Sequence, residues 1–319
     1  MPTNERIVVL GGGVSGLMTG VVLLEAGLSV RLVAEEIPAR TSLVAGAIWG
    51  PHLVEPWADV REWGLTSLDA FRRLAEEGKA GIRMANGIMA ARQPFEEPPW
   101  SKLLSDFREA DASELPHGFL SGHRFTAPVV DMPVYLDHLR RRFRDLGGRL
   151  EQRVICSLDE FAGVSAVVNC AGMGAAALAG DLTLRRTRVH QLVVDNPGVT
   201  EFFSELTGPS SVLVHFYPHG DTVVLGGSAT DDDGGVAGDA AAAHGIVERC
   251  AAVEPRLADA RVIEHRVDVR PTRFEVRVEF DHREDGIPVI HNYGHGGAGV
   301  TLSWGCAREV AQLLAEGLW

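Results

Sequence analysis

The chain has 319 residues, enough for two connected domains with a sizeable core. Hydrophobic residues make up 45% of it and charged residues 23%, which is ordinary globular composition. The formal net charge of -13 argues against a nucleic-acid partner or an anionic membrane surface, because phosphate binding needs clustered Lys and Arg.

The N-terminal segment predicts a βαβ unit. Residues 7–10 form an apolar run typical of a strand buried on both faces of a parallel sheet. Residues 14–26 have helical character, Gly27 suits the end of that helix, and residues 29–33 supply the next strand. Because no basic leader with a cleavage site precedes the first strand, we expect a cytoplasmic protein with no membrane partner.

Beyond residue 50 the sequence changes in character. Tryptophans, prolines and mixed charges between residues 51 and 122 indicate an insertion that leaves the first domain. The later predicted elements are a helical region at 125–146, a buried strand at 166–170, antiparallel sheet at 212–227, a helix at 240–252, and a strand, glycine turn and final helix at 287–318. Both termini are therefore predicted to belong to one nucleotide-binding domain that a second domain interrupts.

Gly11, Gly13 and Gly16 form a GxGxxG fingerprint between the first strand and the first helix. The first glycine permits the tight turn, the second lets the backbone approach a pyrophosphate, and the third allows close helix–strand packing. Ala34 stands where many such proteins place the acid that binds a ribose. We therefore expect Glu35 or a backbone group to take that role.

Residues 291–301 form a second glycine-rich turn, which leads into the last helix. So many glycines indicate a backbone pressed against a flat or charged ligand, with helix N–H groups pointing at it. A flavin needs such donors near N1 and the C2 carbonyl, where negative charge accumulates on reduction. The two glycine segments together favour FAD over NAD.

Five segments resemble the D-amino-acid oxidase family, and they occur along the whole chain in the family's order. They are AGAIW at 45–49, FTAPVVD at 125–131, VNCAG at 168–172, VRPTRFEVR at 269–277 and GHGGAG at 294–299. The resemblance implies an α/β fold with a Rossmann-like FAD-binding domain and a discontinuous substrate domain built on a mixed, largely antiparallel sheet. The implied bounds are 1–52, 127–190 and 277–319 for the FAD-binding domain, and 53–126 and 191–276 for the substrate domain.

The same resemblance implies an oxidase that holds FAD non-covalently and takes hydride from the α-carbon of a D-amino acid. The imino acid then hydrolyses to a keto acid and ammonia, while O₂ reoxidises the flavin and gives H₂O₂. No protein acid or base is expected, because placement and electrostatics dominate such a transfer. The expected partners are the amino-acid substrate and O₂, with a homodimer as an option. The alternatives are an oxidase of acidic D-amino acids, glycine or another small amine, and a non-catalytic dinucleotide-binding module.

By this resemblance, the residues that bind the flavin come from several parts of the chain. The expected cofactor contacts are Gly11, Gly13, Val14, Ser15, Gly16, Glu35, Thr41, Ser42, Ala45, Gly46, Ala47, Ile48, Val154, Cys170, Ala171, Gly172, Gly296, Gly297, Ala298, Gly299, Val300 and Thr301. Thr41 and Ser42 suit the adenosine and pyrophosphate side, while residues 45–48 approach the flavin ring.

Arg277 would hold the substrate carboxylate, since a planar guanidinium forms a bidentate, charge-assisted clamp. Strand alternation puts Arg273 on the same side as Arg277 and places Arg270 on the opposite face. The carbonyl of Gly297 would receive the substrate amine, and Ile48 would border the substrate. The alternative role for Arg277 is a surface ion pair.

The sequence departs from the family at the tyrosines that help to hold the carboxylate. His215 stands where one such tyrosine is expected, Ser211 lies near the other, and Tyr217 shares the side of His215. Tyr217 could take over this role. His215 could bind the carboxylate as an imidazolium that responds to pH near neutrality, or simply complete a polar lining. His52, which follows the flavin loop, is a further candidate for the pocket. These departures leave the side chain of the substrate undecided.

The sequence indicates neither a metal site nor a disulfide framework. The twelve histidines are scattered, and His291 and His295 are expected to stabilise the glycine turn rather than bind a metal. The four cysteines form no CxxC pair, so we expect buried, reduced thiols.

Overall fold

The computed structural model describes residues 7–51, 54–206, 212–231, 240–281 and 288–318. Within these residues, thirteen strands join in one sheet, and seven α-helices accompany it. The strands are β1 (Ile7–Leu10), β2 (Val30–Ala34), β3 (Ile82–Ala91), β4 (Arg108–Glu109), β5 (Ser121–Val130), β6 (Arg149–Gln152), β7 (Ala166–Asn169), β8 (Arg185–Asp195), β9 (Phe202–Glu205), β10 (Val212–His219), β11 (Thr222–Asp231), β12 (Val262–Asp281) and β13 (Val289–His295). The helices are α1 (Val14–Glu25), α2 (Arg40–Leu43), α3 (Trp57–Glu77), α4 (Met132–Asp145), α5 (Ala175–Ala179), α6 (Ala240–Ala251) and α7 (Gly299–Leu318).

The sheet has a parallel part and a mixed part. Strands β6, β2, β1, β7 and β13 lie side by side in that order, and every neighbouring pair among them is parallel. Antiparallel pairing then leads through β12, β8, β11 and β10 to β9. Beyond β9, which pairs with β3 in parallel, β3, β5 and β4 are antiparallel again. The α/β fold with a parallel, nucleotide-binding type of sheet beside a largely antiparallel one is confirmed, whereas the domain bounds stay a prediction.

Side chains of β1 alternate between two cores. Ile7 and Val9 join the main core, to which α1, α4 and α7 contribute, while Val8 and Leu10 pack on the other face with Phe161. Both faces of the parallel part are therefore covered, which explains the unbroken apolar run of β1. None of the described helices is both long enough and apolar enough to cross a membrane.

Three segments differ from their predictions. Residues 121–130 form strand β5, which pairs with β3 along its whole length, and helix α4 begins only after its N-cap residue Asp131. The segment 212–227, predicted as antiparallel sheet, is an antiparallel hairpin of β10 and β11 with a turn at Gly220, but β11 runs to Asp231, beyond the predicted end. Helix α3, in the supposed insertion, packs on α7 through Trp63. The first part of the insertion therefore covers the nucleotide-binding part instead of leaving it.

The cysteines follow the prediction with one exception. All four are free thiols, and Cys170, Cys250 and Cys306 are buried, but Cys156 is exposed. Burial raises the pKa of the Cys170 thiol to about 11, so this residue is a neutral packing group beside the first glycine loop.

Candidate active site

The principal cavity has a volume of about 770 Å³ and follows the edge where the parallel strands end. Gly11 follows β1, Glu36 follows β2 and Cys170 follows β7, and all three line the cavity. Ligands of open α/β sheets bind at this edge, and known ligand cavities span about 300–1,000 Å³. The predicted site residues that line the cavity are Gly11, Gly13, Val14, Ser15, Thr41, Ser42, Ala45, Gly46, Ala47, Ile48, Cys170, Ala171, Gly172, His215, Tyr217, Gly296, Gly297, Gly299 and Val300.

The first glycine loop is closed on one side by backbone. Gly11 has a φ of 113°, and a β-carbon built there would lie 2.1 Å from the carbonyl oxygen of Cys170. At Gly16 the β-carbon would lie 2.0 Å from the carbonyl oxygen of Gly11, so helix α1 packs directly on the loop. The Val14 N–H donates to the Ser42 hydroxyl at 2.9 Å. The loop is therefore held from behind, with its open side toward the cavity.

The second glycine segment meets the first. The Ser15 hydroxyl donates to the carbonyl oxygen of Asn292 at 3.2 Å, and the Asn292 amide donates to Thr19 of α1 at 3.0 Å. His295 contacts the Asn292 side chain at 3.1 Å, and burial lowers the pKa of His295 to about 4, so it is neutral. The turn-stabilising contact expected of His295 is present, and it holds the start of α7 beside the start of α1. Gly296 N–H donates to Pro271 at 3.0 Å, which ties this turn to β12.

The segment of residues 44–49 forms a third wall. Ala47 has a φ of 47°, which only its surroundings can impose on a residue with a side chain. Its carbonyl accepts from the Val130 N–H at 2.8 Å, and His219 contacts the carbonyl oxygen of Gly46 at 3.2 Å. Burial lowers the pKa of His219 to about 4, so a neutral ring makes this contact. Together, the three walls fit a flavin dinucleotide, because they offer backbone and helix N-termini where an elongated, anionic ligand needs them.

Arg270 brings a positive charge to the antiparallel end of the cavity, the part lined by residues of β8, β10 and β12. Its Nη1 atom lies 3.4 Å from the position of a β-carbon built on Gly297. Among the described residues, none has a carboxylate at ion-pair distance from this guanidinium, and burial lowers its pKa. A desolvated cation without a partner marks a site for an anionic ligand group.

His215 and Tyr217 stack over the same end, with ring centroids 4.7 Å apart. The His215 ring lies across Gly226, where a β-carbon would come within 1.9 Å of it, and reaches the Gln191 amide at 3.4 Å. Burial, and then the charge of Arg270, lower the pKa of His215 to about 3. His215 is therefore neutral near pH 7, which corrects the expectation of an imidazolium. The Tyr217 hydroxyl shares a hydrogen bond with Ser204 at 3.1 Å, and burial raises its pKa.

Arg277 lies outside the cavity, contrary to the prediction. Its guanidinium donates to the Tyr293 hydroxyl at 2.6 Å and to Glu279 at 2.6 Å, so it is already engaged. The wrong step was the choice of Arg277 as the carboxylate-binding arginine, which came from the resemblance; alternation only placed Arg270 opposite to it. Alternation is also no guide across this part of β12, because Thr272 pairs with His295 but Arg277 pairs with Tyr293. Arg270, which was placed on the opposite face, lines the cavity, as do Arg40 and Arg273.

Several other predicted contacts do not line the cavity. Glu35 is exposed, and Glu36 lines the cavity instead; Val154 is 57% exposed. Ala298 and Thr301 are buried in support of the wall, where Thr301 bonds both backbone groups of Gly50. Gly16 supports the loop as described above. His52 and Ser211 lie outside the described residues.

Sequence reasoning also missed residues that line the cavity. Besides Arg270, they include Gln191, Met89, Trp100 and Phe125. The last three come from β3, β5 and the segment between them, which approach the glycine loops only through the sheet. The sequence showed Arg270 within the family-like segment 269–277, but it could not show that the Arg270 side chain points into the cavity.

Comparisons with known proteins agree with this geometry. The family model described as FAD dependent oxidoreductase (DAO) matches residues 6–313. A D-amino-acid oxidase of Rubrobacter xylanophilus is 44% identical over 98% of this chain and 97% of that protein, and one of Streptomyces coelicolor is 41% identical over 97% of each. Glycine oxidase from Geobacillus kaustophilus has a similar structure, with a TM-score of 0.82 and 17% identity over 98% of this chain and 94% of that one. The chain therefore belongs to the FAD dependent oxidoreductase family.

Proposed function

We propose that this protein is an FAD-dependent D-amino-acid oxidase, which converts a D-amino acid, O₂ and water to a 2-oxo acid, ammonia and H₂O₂. The observation that carries the proposal is the Arg270 guanidinium, which has no carboxylate partner among the described residues and lies beside Gly297 at the antiparallel end of the cavity. The relatives at 44% and 41% identity, both D-amino-acid oxidases, support the reaction and its stereochemistry.

Arg270 binds the substrate carboxylate in this proposal. Its planar group offers two parallel N–H donors to the two carboxylate oxygens and so fixes the direction of the α-carbon. The Tyr217 hydroxyl, which lines the same end, is a second donor. A β-carbon built on Gly297 would lie 3.4 Å from Arg270, so the Gly297 backbone borders the same substrate, and its carbonyl is the proposed acceptor for the amino group.

The glycine segments would hold the cofactor. The N–H groups at the start of α1 would serve the pyrophosphate, and those at the start of α7 would serve the part of the ring that becomes negative. When bound, FAD supplies the two-electron acceptor for the bond between the α-carbon and its hydrogen. His215 is neutral near pH 7, so it does not act as an acid. Its role in this proposal is to line the pocket and to hold the Gln191 side chain in place.

The cavity favours an uncharged, apolar side chain on the substrate. Met89, Trp100 and Phe125 line it on the side of β3 and β5. An acidic substrate would need a second unpaired cation, but Arg273 is paired with Asp181 at 3.0 Å and His215 is neutral. These contacts support neutral D-amino acids such as D-phenylalanine over D-aspartate, and give glycine no partner for most of the wall.

Anaerobic reduction tests the proposal. The purified holoprotein should be yellow and should bleach with D-phenylalanine but not with L-phenylalanine. Bleaching by the L-enantiomer alone would overturn the stereochemistry, and a protein that takes up no FAD would leave only a dinucleotide-binding fold without this activity. A homodimer and a cytoplasmic location complete the proposal on sequence grounds, and analytical ultracentrifugation tests the first.

A further inference from the structure

Asp181 is a buried carboxylate next to the cavity that has no part in the flavin and substrate contacts proposed above. It follows helix α5, and its side chain is only 5% exposed. One oxygen accepts from the Thr183 N–H at 2.9 Å and from the Thr183 hydroxyl at 2.6 Å. The other accepts from the Tyr293 hydroxyl at 2.8 Å and pairs with Arg273 at 3.0 Å.

These contacts outweigh burial. Burial alone would raise the pKa of Asp181, but the hydrogen bonds from Thr183 and Tyr293 and the charge of Arg273 lower it to about 2. The carboxylate is therefore ionised near pH 7. A buried, ionised group with four donors is a fixed point in the structure, because removing it would leave Arg273 desolvated without its partner.

The carboxylate holds the irregular part of β12 against β13. Between the pairs Thr272–His295 and Arg277–Tyr293, five residue steps along β12 face two along β13. The extra residues form a bulge, and Phe274 at its tip is 83% exposed, so apolar packing does not hold the tip in place. Asp181 instead holds the bulge through its ion pair with Arg273, and it holds β13 through the hydrogen bond from Tyr293.

Both strands reach the cavity within a few residues of these two contacts. On β12, Arg270 lies three residues before Arg273, and on β13 the glycine turn starts directly after Tyr293. A β-carbon on Gly294 would lie 2.7 Å from the Arg273 side chain, so Arg273 also packs against the start of the turn. A shift of Asp181 would therefore move Arg270 through the short stretch of β12 that joins it to Arg273. It would move Gly297 through the short turn that follows Tyr293.

We propose that Asp181 is a positioning residue, which sets the distance between the Arg270 guanidinium and the Gly294–Gly297 turn by clamping the β12 bulge to β13. The proposal rests on the proposed role of Arg270 in binding the carboxylate. A small displacement of a binding group is costly, since errors of about 1 Å in placement reduce rates by up to ~100-fold.

The test is Asp181→Asn, which keeps the shape of the side chain and removes its charge. At saturating FAD, we expect KM for D-phenylalanine to rise about tenfold or more while kcat changes much less. The dissociation constant of 3-phenylpropanoate, which has the carboxylate but no amine, should rise by a similar factor when followed by the flavin spectrum. The matched control is Asp137→Asn on α4, which also removes a carboxylate paired with two arginines but lies away from the cavity.

A merely structural role for Asp181 predicts another pattern. In that case Asp181→Asn lowers the melting temperature but leaves KM and 3-phenylpropanoate binding at the wild-type values, and this result overturns the proposal. If Asp181→Asn does not fold, Tyr293→Phe breaks the grip on β13 alone and must raise KM and the 3-phenylpropanoate constant in the same direction. Failure of the proposed function is separate, because it would show as a wild-type protein that D-phenylalanine does not reduce.

Discussion

The sharpest prediction compares two arginines that lie seven residues apart on one strand. Arg270→Gln removes a guanidinium in the cavity that has no carboxylate partner in the described part of the chain, whereas Arg277→Gln removes one that already has Tyr293 and Glu279 as partners. A substrate carboxylate held by two charge-assisted hydrogen bonds loses about 3 kcal/mol when the donor is removed, at ~1.5 kcal/mol for each bond. We therefore expect kcat/KM for D-phenylalanine to fall by roughly 100-fold in Arg270→Gln.

The same substitution should leave the fold intact. Arg270 is desolvated without an ionic partner among the described residues, so its removal should leave the melting temperature of the apoprotein unchanged or raise it. Arg270→Lys keeps the charge but loses the planar fork, and kcat/KM should fall by about tenfold. Peroxide release at several substrate concentrations, with flavin content measured in parallel, separates binding from loss of cofactor.

Arg277→Gln is the comparison that decides the matter. It should reduce kcat/KM at least tenfold less than Arg270→Gln does, since Arg277 lies outside the cavity and acts only indirectly, through Tyr293 and Asp181. An equal or larger loss in Arg277→Gln would mean that Arg277, and not Arg270, faces the substrate in the working enzyme. The assignment of Arg270 would then be refuted.

Three further predictions concern the cofactor, stability and specificity. Gly13→Val should abolish FAD retention, because a side chain there enters the cavity wall; an unchanged ratio of flavin to protein would contradict this. His215, His219 and His295 have lowered pKa values of about 3, 4 and 4, so the unfolded state binds protons more readily than the folded one as pH falls below about 6.5. The free energy of unfolding should therefore fall between pH 6.5 and 4, and His219→Gln should show a shallower slope over that window than the wild type; an identical slope would refute the assignment. Trp100→Ala should lower kcat/KM for D-phenylalanine about tenfold more than for D-alanine, and equal effects on both substrates would remove Trp100 from the side-chain pocket.

Much of the site could be predicted because its walls are backbone segments that require glycine. At Gly11 and Gly16, a side chain would collide with neighbouring carbonyl groups, so the residue type itself reports the close approach. The same holds for the turn after β13, where Gly294 and Gly296 have positive φ angles. Side-chain directions could not be predicted in this way. Arg270 and Arg277 exchange their expected places because the resemblance gave the role to Arg277, and a bulge between the two residues makes side-chain alternation no guide to their directions.

Local sequence thus determined the fold class, the βαβ unit and the two glycine segments, since each rests on the spacing of residues within one element or one turn. Only the tertiary structure decided which charges remain unpaired. Arg273 and Arg277 find partners in Asp181 and Glu279, while Arg270 finds no carboxylate in the described part of the chain. Pairing depends on strands that are distant in sequence but adjacent in the sheet, and burial depends on everything packed around them, so neither can be read from spacing along the chain.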